Sequence, residues 1–218
     1  MAGARREARA EMTDAILAAA RREIAAKGGG GLSMRAVARE VDLVSSAVYR
    51  YFPTREALLT AMIIESYGHL AERLEAVSAR GRERRWRGLA RAMRDWARSS
   101  PHEFQLIYGT PIPGYVAPPE TIPAAARVAD PYLRCAAVQP LEPFGDRALR
   151  AQMSELADLG LDPSGAAATL AELAALVGFV NLELAGHFVG TADPADRLFD
   201  ALVRRQCASL RLGDSVRP

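Results

Sequence analysis

The sequence contains few of the residues that would narrow its function at once. Its two cysteines, Cys135 and Cys207, stand far apart, with no CxxC spacing and no histidine cluster nearby. This argues against a disulfide framework or a cysteine-bound zinc ion and favours two buried thiols. The formal net charge is only +2 over 218 residues. Any affinity for nucleic acid therefore has to come from local clusters of basic residues.

The chain also lacks segments typical of export or membrane insertion. No charged and then apolar leader opens it, and no apolar run is expected to reach the roughly 18 residues that a membrane span needs. We therefore expect a soluble, cytoplasmic protein without a membrane partner.

Catalytic and metal-binding motifs are scarce as well. No serine, cysteine or histidine lies in a nucleophile motif. Two carboxylate and imidazole pairs, Glu65 with His69 and Glu183 with His187, are each four residues apart and so share a helix face. Di-iron bundles instead use Glu-x-x-His with two further glutamates, so we interpret both pairs as surface or pocket-rim polar groups. We expect no catalytic residue, no metal and no cofactor.

The stretch 32–59 is the part of the chain whose pattern points to a chemistry. Ser33 is placed to cap a short helix over 34–41, whose apolar residues recur at helical spacing. After a two-residue turn, Ser45 is placed to cap a second helix that runs to about Tyr51. Two short helices joined by so tight a turn predict a helix-turn-helix, a wedge that the major groove of DNA admits.

The second short helix has a buried and an exposed face. Its apolar residues are expected to pack on the first helix: Val44, Val48 and Phe52. Its exposed face is left with polar and aromatic residues: Ser45, Ser46, Tyr49 and Arg50. Pro53 ends this helix, and Thr54 caps a longer one with Glu56 in its first turn.

The residues AVAREVDLVSSAVYRYFPTREALL resemble the DNA-binding segment of the TetR family of bacterial transcriptional regulators. The likeness extends to Tyr-x-Tyr-Phe, the turn after it and a basic residue opening the next helix, Arg55 in place of the more usual lysine. It implies phosphate contacts by Tyr51 and Arg55 and a groove-facing Arg35. It also implies a base-facing surface: Ser45, Ser46, Ala47 and Tyr49. A core position for Tyr49 and a solvated Arg50 remain open alternatives.

Helices are expected on both sides of this segment. Residues 1–10 are predicted to form a partly frayed basic arm, followed by a helix over 11–27 whose apolar stripe lies behind the helix-turn-helix. Residues 28–31, all glycine, end that helix and add slack. A long helix from Arg55 to about Ala79 would span about 36 Å and link the DNA-facing residues to the following domain.

The chain from residue 80 onward predicts further helices. Eight arginines between 80 and 98 are expected on the outer face of one helix, because Trp86, Leu89, Met93 and Trp96 mark its inner face. A capping box at Ser100 opens the next helix, and four prolines with two glycines make 109–121 a loop. Later helices are expected over about 122–138, 147–159, 163–189 and 194–211, the last two capped by Asp162 and Asp193.

The last two helices are the most apolar. The first of them carries apolar residues on more than one face: Leu170, Leu173, Leu176, Val177, Val180 and Leu184. A helix that is hydrophobic over a wide arc needs partners on two sides. We expect a homodimer through these two helices, with a four-helix interface that also includes Leu198, Leu202 and Leu210.

Two later segments, HEFQLIYGTPIPGYVAP and VGFVNLELAGHF, resemble the ligand-binding domain of the WHG-type subgroup of the same family. That subgroup often has Trp and His before the glycine, where this chain has Val177 before Gly178. The resemblance implies an all-helical effector pocket. Candidate lining residues are mostly apolar with a few phenols: Met62, Tyr67, Trp96, Phe104, Tyr108, Tyr115, Phe179 and Leu182. We expect roughly a third of them to touch a ligand.

The predicted fold is all α, with about nine to ten helices. Residues 1–56 form a helix-turn-helix DNA-binding domain and residues 57–218 a larger ligand-binding and dimerisation domain. The predicted function is a transcriptional repressor released from a double-stranded, palindromic DNA operator by a small apolar or amphipathic effector. Two alternatives stay open: a helical metal- or small-molecule-binding enzyme that carries a DNA-binding module, and an activator or ligand-independent regulator.

Overall fold

A computed structural model of the protein describes residues 2–142 and 144–213. In these ranges the chain is helical and contains no strand, so the predicted all-α class is confirmed. The α-helices are α1 (Ala2–Lys27), α2 (Met34–Glu40), α3 (Ser45–Val48), α4 (Arg55–Glu75), α5 (Arg82–Ser99), α6 (Pro101–Tyr108), α7 (Ile122–Ala136), α8 (Arg147–Gln152), α9 (Pro163–Leu184) and α10 (Asp196–Ser209). Short 3-10 helices cover Gly29–Gly31, Pro119–Thr121 and Ser154–Leu159.

The described residues form two compact units. The first unit contains the chain up to Tyr67 together with Ser100–Ala124, and the second contains Gly68–Ser99 and the chain from Ala125 onward. This division differs from the predicted boundary at residue 57. The reason is that Leu106 of α6 and Ile112 and Tyr115 of the following loop pack on the same apolar cluster as α1 to α4.

The first unit is built on one apolar cluster. Ile16 and Ile24 of α1, Val37 of α2 and Leu58 of α4 are almost completely buried in it, which confirms the predicted stripe behind the helix-turn-helix. The prediction of a frayed arm over residues 1–10 is wrong, because α1 begins at Ala2. Alanine, arginine and glutamate dominate that segment, and all three are strong helix formers.

The core of the second unit contains aromatic residues whose polar groups are hydrogen-bonded. The rings of Trp86 and Tyr132 meet edge to face with centroids 5.3 Å apart. The Trp86 indole N–H donates to Gln206 Oε1 at 3.1 Å, and the Tyr132 hydroxyl donates to the Leu89 carbonyl oxygen at 3.0 Å. The polar groups of both Trp86 and Tyr132 are thus hydrogen-bonded, as stable cores require.

Two predicted features of α5 and α6 are wrong. Arg94 does not lie on an outer face but is buried, where its Nε donates to Glu183 Oε2 and its Nη1 to Asp196 Oδ1, both at 2.8 Å. A buried guanidinium that is paired with carboxylates can occupy a site that an unpaired charge could not. Ser100 is the N-cap of α6 with proline after it, as predicted, but its side chain makes no capping hydrogen bond.

The last helices follow the prediction in type and differ at their ends. Asp162 caps α9 by accepting hydrogen bonds from the backbone N–H groups of Ser164 and Gly165. The helix ends at Leu184, earlier than predicted, since Gly186 adopts a left-handed conformation with φ 76°. The predicted cap by Asp193 is wrong, because α10 begins at Asp196 after Ala195, which is its N-cap.

The α9 helix is more apolar than the sequence analysis allowed for. It is long enough and apolar enough to cross a membrane by length and composition, with a mean hydropathy of 1.6 in its best 18-residue window. The prediction that no apolar run is long enough for a membrane span was therefore wrong. Half of that window is buried inside the protein.

The apolar residues of α9 and α10 divide between the core and the surface. Leu176, Val180 and Phe199 are buried in the second unit, and so is Leu210, which is therefore not available to the predicted dimer interface. Apolar residues also lie on the exposed side of the two helices: Ala171, Ala174, Ala175, Leu182, Leu198 and Ala201.

Candidate functional site

The first half of the helix-turn-helix forms as its sequence predicts. The hydroxyl oxygen of Ser33 accepts a hydrogen bond from the Ala36 backbone N–H at 3.3 Å, so the predicted cap of α2 is confirmed. Val37 and Ala38 are buried beneath it. The turn that follows is tight because Asp42 takes a left-handed conformation with φ 52°, which aspartate tolerates better than most residues.

The second half is shorter than predicted. α3 is a single turn over Ser45–Val48, and the chain continues through hydrogen-bonded turns to Tyr51. Its N-cap is Val44 and no side chain caps it, so the predicted cap by Ser45 is wrong. Val48 and Phe52 are buried, as expected, and hold α3 on the core of the first unit.

Val44 lies on the exposed surface, contrary to the prediction. It was predicted to pack inward, yet 70% of its side chain is exposed. The reason is its extended backbone at the N-cap, with φ −71° and ψ 145°, which precedes the helical periodicity used for the prediction. Ser46 and Tyr49 are exposed nearby in the sequence, whereas Ser45 and Ala47 are partly buried. The exposed surface of α3 therefore combines apolar, hydroxyl and phenol groups.

Basic side chains accompany this surface. Arg35 and Arg39 are exposed on α2, and Arg50 is exposed after α3. The Arg9 guanidinium from α1 lies over the ring of Tyr51 at 5.2 Å from its centroid. A cation at this distance from an aromatic face is attracted to it, so α1 helps to orient Tyr51.

Arg55 has an intramolecular role that the sequence analysis did not anticipate. Its Nε donates to the carbonyl oxygen of Leu32 at 3.0 Å, and its Nη2 donates to those of Gly29 and Gly30, both at 2.9 Å. The glycine run is therefore not slack: three of its residues form a 3-10 turn tied to the start of α4. The phosphate contact that the resemblance implies for Arg55 stays a prediction.

A cavity of about 280 Å³ lies within the first unit. Its walls come from α4 with Ile63 and Tyr67, and from α6 with Leu106 and Ile107. The proline-rich loop supplies the remaining lining: Gly109, Thr110, Pro111, Ile112, Tyr115, Ala117 and Thr121. Its Tyr115 hydroxyl lies 3.0 Å from Thr60 Oγ1, which ties the loop to α4.

The predicted ligand-binding residues are divided between the two units. Tyr67 and Tyr115 line the cavity, and the Tyr108 ring stands edge to face against Tyr67 at 6.1 Å between centroids. Met62 and Phe104 are fully buried core residues of the first unit. The other three belong to the second unit: Trp96, Phe179 and Leu182. Their role in ligand binding stays a prediction.

Most of the cavity lining was missed because it comes from the loop. Pro111 and Ile112, for example, lie in a segment that the prolines marked only as irregular. The available signal was the alternation of apolar residues with prolines directly after α6. A loop that carries apolar side chains has to bury some of them against the adjoining helices.

The phenols beside the cavity remain protonated at neutral pH. Burial, with a smaller contribution from Tyr115, raises the pKa of Tyr67 above its ordinary value. Burial likewise raises the pKa of Tyr108. These rings therefore offer neutral hydroxyl groups, which donate and accept hydrogen bonds without charge.

The two carboxylate and imidazole pairs do not meet as metal ligands. Glu65 forms an ion pair with Arg21 at 2.6 Å, and Glu183 lies against Arg94. Throughout residues 2–142 and 144–213, no group of three metal-ligating side chains is assembled. The carboxylates instead neutralise buried or half-buried arginines.

Comparison with known proteins gives matches over most of the chain. The family model described as "Bacterial regulatory proteins, tetR family" matches residues 16–62, and the model described as "Tetracyclin repressor-like, C-terminal domain" matches residues 86–206. The HTH-type transcriptional regulators Rv1816 of Mycobacterium tuberculosis and Mb1846 of Mycobacterium bovis are each 40% identical over 131 residues, which cover 58% of this chain and 56% of each relative. The chain thus spans little more than half the length of these relatives.

Solved structures share the fold. The crystal structure of the protein SCO4313 is 30% identical, with a TM-score of 0.79 over 93% of this chain and 98% of the other. The TetR family transcriptional regulator PfmR from Thermus thermophilus is 18% identical, with a TM-score of 0.51 over 91% of this chain and 98% of the other, and shows a likeness of fold alone. Since one family model covers the helix-turn-helix and another covers more than half of the chain, the chain belongs to the TetR family of bacterial regulatory proteins.

Proposed function

We propose that the chain is a DNA-binding transcriptional regulator, acting in the cytoplasm as a homodimeric repressor that a small effector releases from a palindromic operator. The observation that carries this proposal is the surface of α2 and α3. Val44, Ser46 and Tyr49 are exposed there, while Val48 beneath them is fully buried. The buried face of this short helix holds it on the core, and its other face exposes methyl, hydroxyl and phenol groups. Such a helix suits the major groove.

The exposed side chains fit two kinds of DNA contact. The Arg35 guanidinium suits the O6 and N7 atoms of a guanine, and the Val44 methyl groups suit the methyl group of a thymine. The Tyr51 hydroxyl suits a phosphate, and such contacts position the protein without reading the sequence. The exposed hydroxyl of Ser46 suits a base edge or a phosphate.

The surface of α9 and α10 supports a dimer. Its exposed alanines at 171, 174 and 175 recur at helical spacing, and Leu182 and Leu198 extend the apolar surface. Small residues let two helices approach closely, and the larger leucines add buried area. A two-fold dimer would present two copies of α3 to two half-sites about 34 Å apart, one turn of the double helix.

Release of the operator by an effector would be a shift in the populations of two arrangements of the dimer. α4 is one continuous helix whose residues to Tyr67 belong to the first unit and from Gly68 to the second. An effector that binds one arrangement of the dimer better would move the α3 helices off their spacing. A coupling of about 1–3 kcal/mol releases DNA about 5- to 150-fold.

The test is binding of the purified protein to the intergenic DNA beside its own gene, at two salt concentrations. Tight binding to one palindromic fragment, with two chains per site, would support the proposal. Each phosphate that the protein neutralises makes the slope of log affinity against log salt concentration more negative by about 0.9. If the protein binds every fragment weakly and with the same dependence on salt, the proposal that it specifically regulates that region is contradicted.

Two variants separate the assigned roles. Arg35→Ala should cost about 1–3 kcal/mol on the operator and relax one base position. Tyr51→Phe keeps the ring that Arg9 covers and removes only the hydroxyl, so it should weaken binding to all sequences alike. If neither variant changes operator affinity, the assignment of roles is wrong.

A further inference from the structure

On the basis of the regulatory function proposed above, we propose that the cavity of the first unit takes an uncharged, bicyclic aromatic ligand with one hydrogen-bond donor. We further propose that this ligand weakens DNA binding by displacing Ile112 against Gly29. The relay lies entirely within the first unit.

The cavity selects against charge. Among the described residues that line it, none carries a carboxylate, an ammonium or a guanidinium group. The polar side chains that line it carry hydroxyl groups: Tyr67, Thr110, Tyr115 and Thr121. A charged ligand would lose its hydration without gaining a counter-ion, which is costly. An uncharged ligand loses much less on entry.

The Tyr115 hydroxyl offers the ligand a hydrogen-bond acceptor. Thr60 Oγ1 donates to the Glu56 carbonyl oxygen at 2.9 Å. A threonine hydroxyl has a single hydrogen, so the Tyr115 hydroxyl, 3.0 Å away, is the donor in its contact with Thr60. The oxygen of Tyr115 retains its lone pairs as acceptors, and an N–H or O–H group of a ligand can use them.

The size of the cavity sets the size of the ligand. An apolar cavity of about 150 Å³ holds benzene, and the cavity here measures about 280 Å³. A fused pair of rings therefore fits, and the rings of Tyr67 and Tyr115 offer aromatic surfaces against which a planar ligand packs.

Two residues of the cavity wall, Leu106 and Ile112, also pack against Gly29 of the glycine turn. A Cβ atom built on Gly29 would lie 2.6 Å from Ile112 Cδ1 and 3.0 Å from Leu106 Cδ1. Both side chains line the cavity, so they contact the turn on one side and a ligand on the other. A ligand that displaces Ile112 towards the turn therefore presses it against Gly29.

The glycine turn holds the helix-turn-helix in place. The Gly29 carbonyl oxygen accepts from Arg55 at 2.9 Å. Arg55 also donates to the carbonyl oxygen of Leu32, which directly precedes Ser33, the N-cap of α2. Movement of Gly29 therefore changes the hydrogen bonds that fix the start of α2 to the start of α4. The structure thus links the cavity to the DNA-facing helices without requiring the second unit.

The ligand class is tested by calorimetry on the full chain with three probes. Indole has two fused rings and one N–H donor, 1-methylindole lacks the donor, and indole-3-carboxylate carries a charge. We expect indole to bind best and the carboxylate not at all. Tyr115→Phe should weaken indole about fivefold, the worth of one hydrogen bond, and leave 1-methylindole unchanged. Absence of heat with indole, or preference for the carboxylate, would overturn the assigned class.

The relay is tested on operator DNA with variants of the two contacting residues. Ile112→Ala removes part of the cavity lining, so it should bind indole more weakly, yet at saturating indole it should release less operator than the parent does, while Ile112→Val retains release. Gly29→Ala should lower operator affinity without any ligand, because its methyl group displaces Ile112. The double variant Gly29→Ala with Ile112→Ala should recover most of that loss. Thermal unfolding of each variant checks that it folds.

The outcomes separate the relay from the regulatory function. Release by indole that is equal in the parent and in Ile112→Ala would overturn the relay, as would a double variant no better than Gly29→Ala. If the parent protein binds no operator, the regulatory function fails. Calorimetry still decides the ligand class in that case.

Discussion

The Arg55 guanidinium donates to the carbonyl oxygen of Gly29 at 2.9 Å, across 26 residues of sequence. Its other donors engage Gly30 and Leu32. Carbonyl groups of the segment that follows α1 thereby gain a charged partner from the first residue of α4. This contact closes the helix-turn-helix into one rigid element, because it joins the segments before and after it.

Loss of this contact should destabilise the first unit. Arg55→Ala removes three hydrogen bonds from a charged, half-buried donor, and we expect the free energy of unfolding to fall by about 2 kcal/mol. Arg55→Lys should recover part of this, since an ammonium group does not reproduce the planar fork. Urea unfolding measures both. The exposed Arg39→Ala is the control and should stay within about 0.5 kcal/mol of the parent.

Val44 and Val48 form a matched pair four residues apart. Val48 is fully buried and Val44 is 70% exposed. Val48→Ala should lower the free energy of unfolding by about 2 kcal/mol through loss of buried methyl groups, whereas Val44→Ala should leave it unchanged and weaken operator binding. Equal effects of the two substitutions on stability would show that Val44 belongs to the core.

Much of the fold could be predicted from the sequence because its signals are local. Ser33 and Asp162 cap helices through backbone groups two or three residues away, and apolar spacing marks the buried stripe of α1. The same reasoning put Tyr49 on the exposed face, with a core position as the alternative, and Tyr49 is 46% exposed. Local patterns suffice where the partner lies within one turn of a helix.

The features that were mispredicted depend on distant partners. Arg94 is buried because Glu183, 89 residues away, accepts its hydrogen bonds. The cavity depends on how Ile112 packs against α4 and α6, which no periodicity in the loop reveals. Val44 was misplaced because the residue before a short helix does not share the helix's periodicity.

Stability should fall at alkaline pH through a buried thiol. Burial raises the pKa of Cys207 to about 11 from its ordinary value near 9. Above pH 9 the unfolded thiol ionises while the folded thiol stays protonated, so stability present below pH 9 is lost as pH rises towards 11. The loss from Cys207 is at most of order 2 to 3 kcal/mol. Urea unfolding from pH 8 to 11 should show a shallower decline in Cys207→Ala than in the parent.

The proposed dimer interface predicts the effect of a charge on α9. Leu182 is 45% exposed, and Leu182→Glu should convert the dimer to a monomer because a carboxylate would be buried against its own copy. Leu159→Glu is the control, since Leu159 is 58% exposed outside α9 and α10. Analytical ultracentrifugation measures both variants. A dimer that survives Leu182→Glu would place the interface elsewhere.

The most direct measurement is a hydroxyl-radical footprint of the protein on its operator, with the number of chains per site counted. Two copies of α3 reading one two-fold site should protect two symmetric patches whose centres lie about 34 Å apart, one turn of the double helix or a multiple of it. Arg35→Ala should raise the protein concentration needed to protect both patches, by the same factor in each. A single asymmetric patch, or uniform protection along the fragment, would contradict the proposal that this chain is a dimeric, sequence-specific regulator.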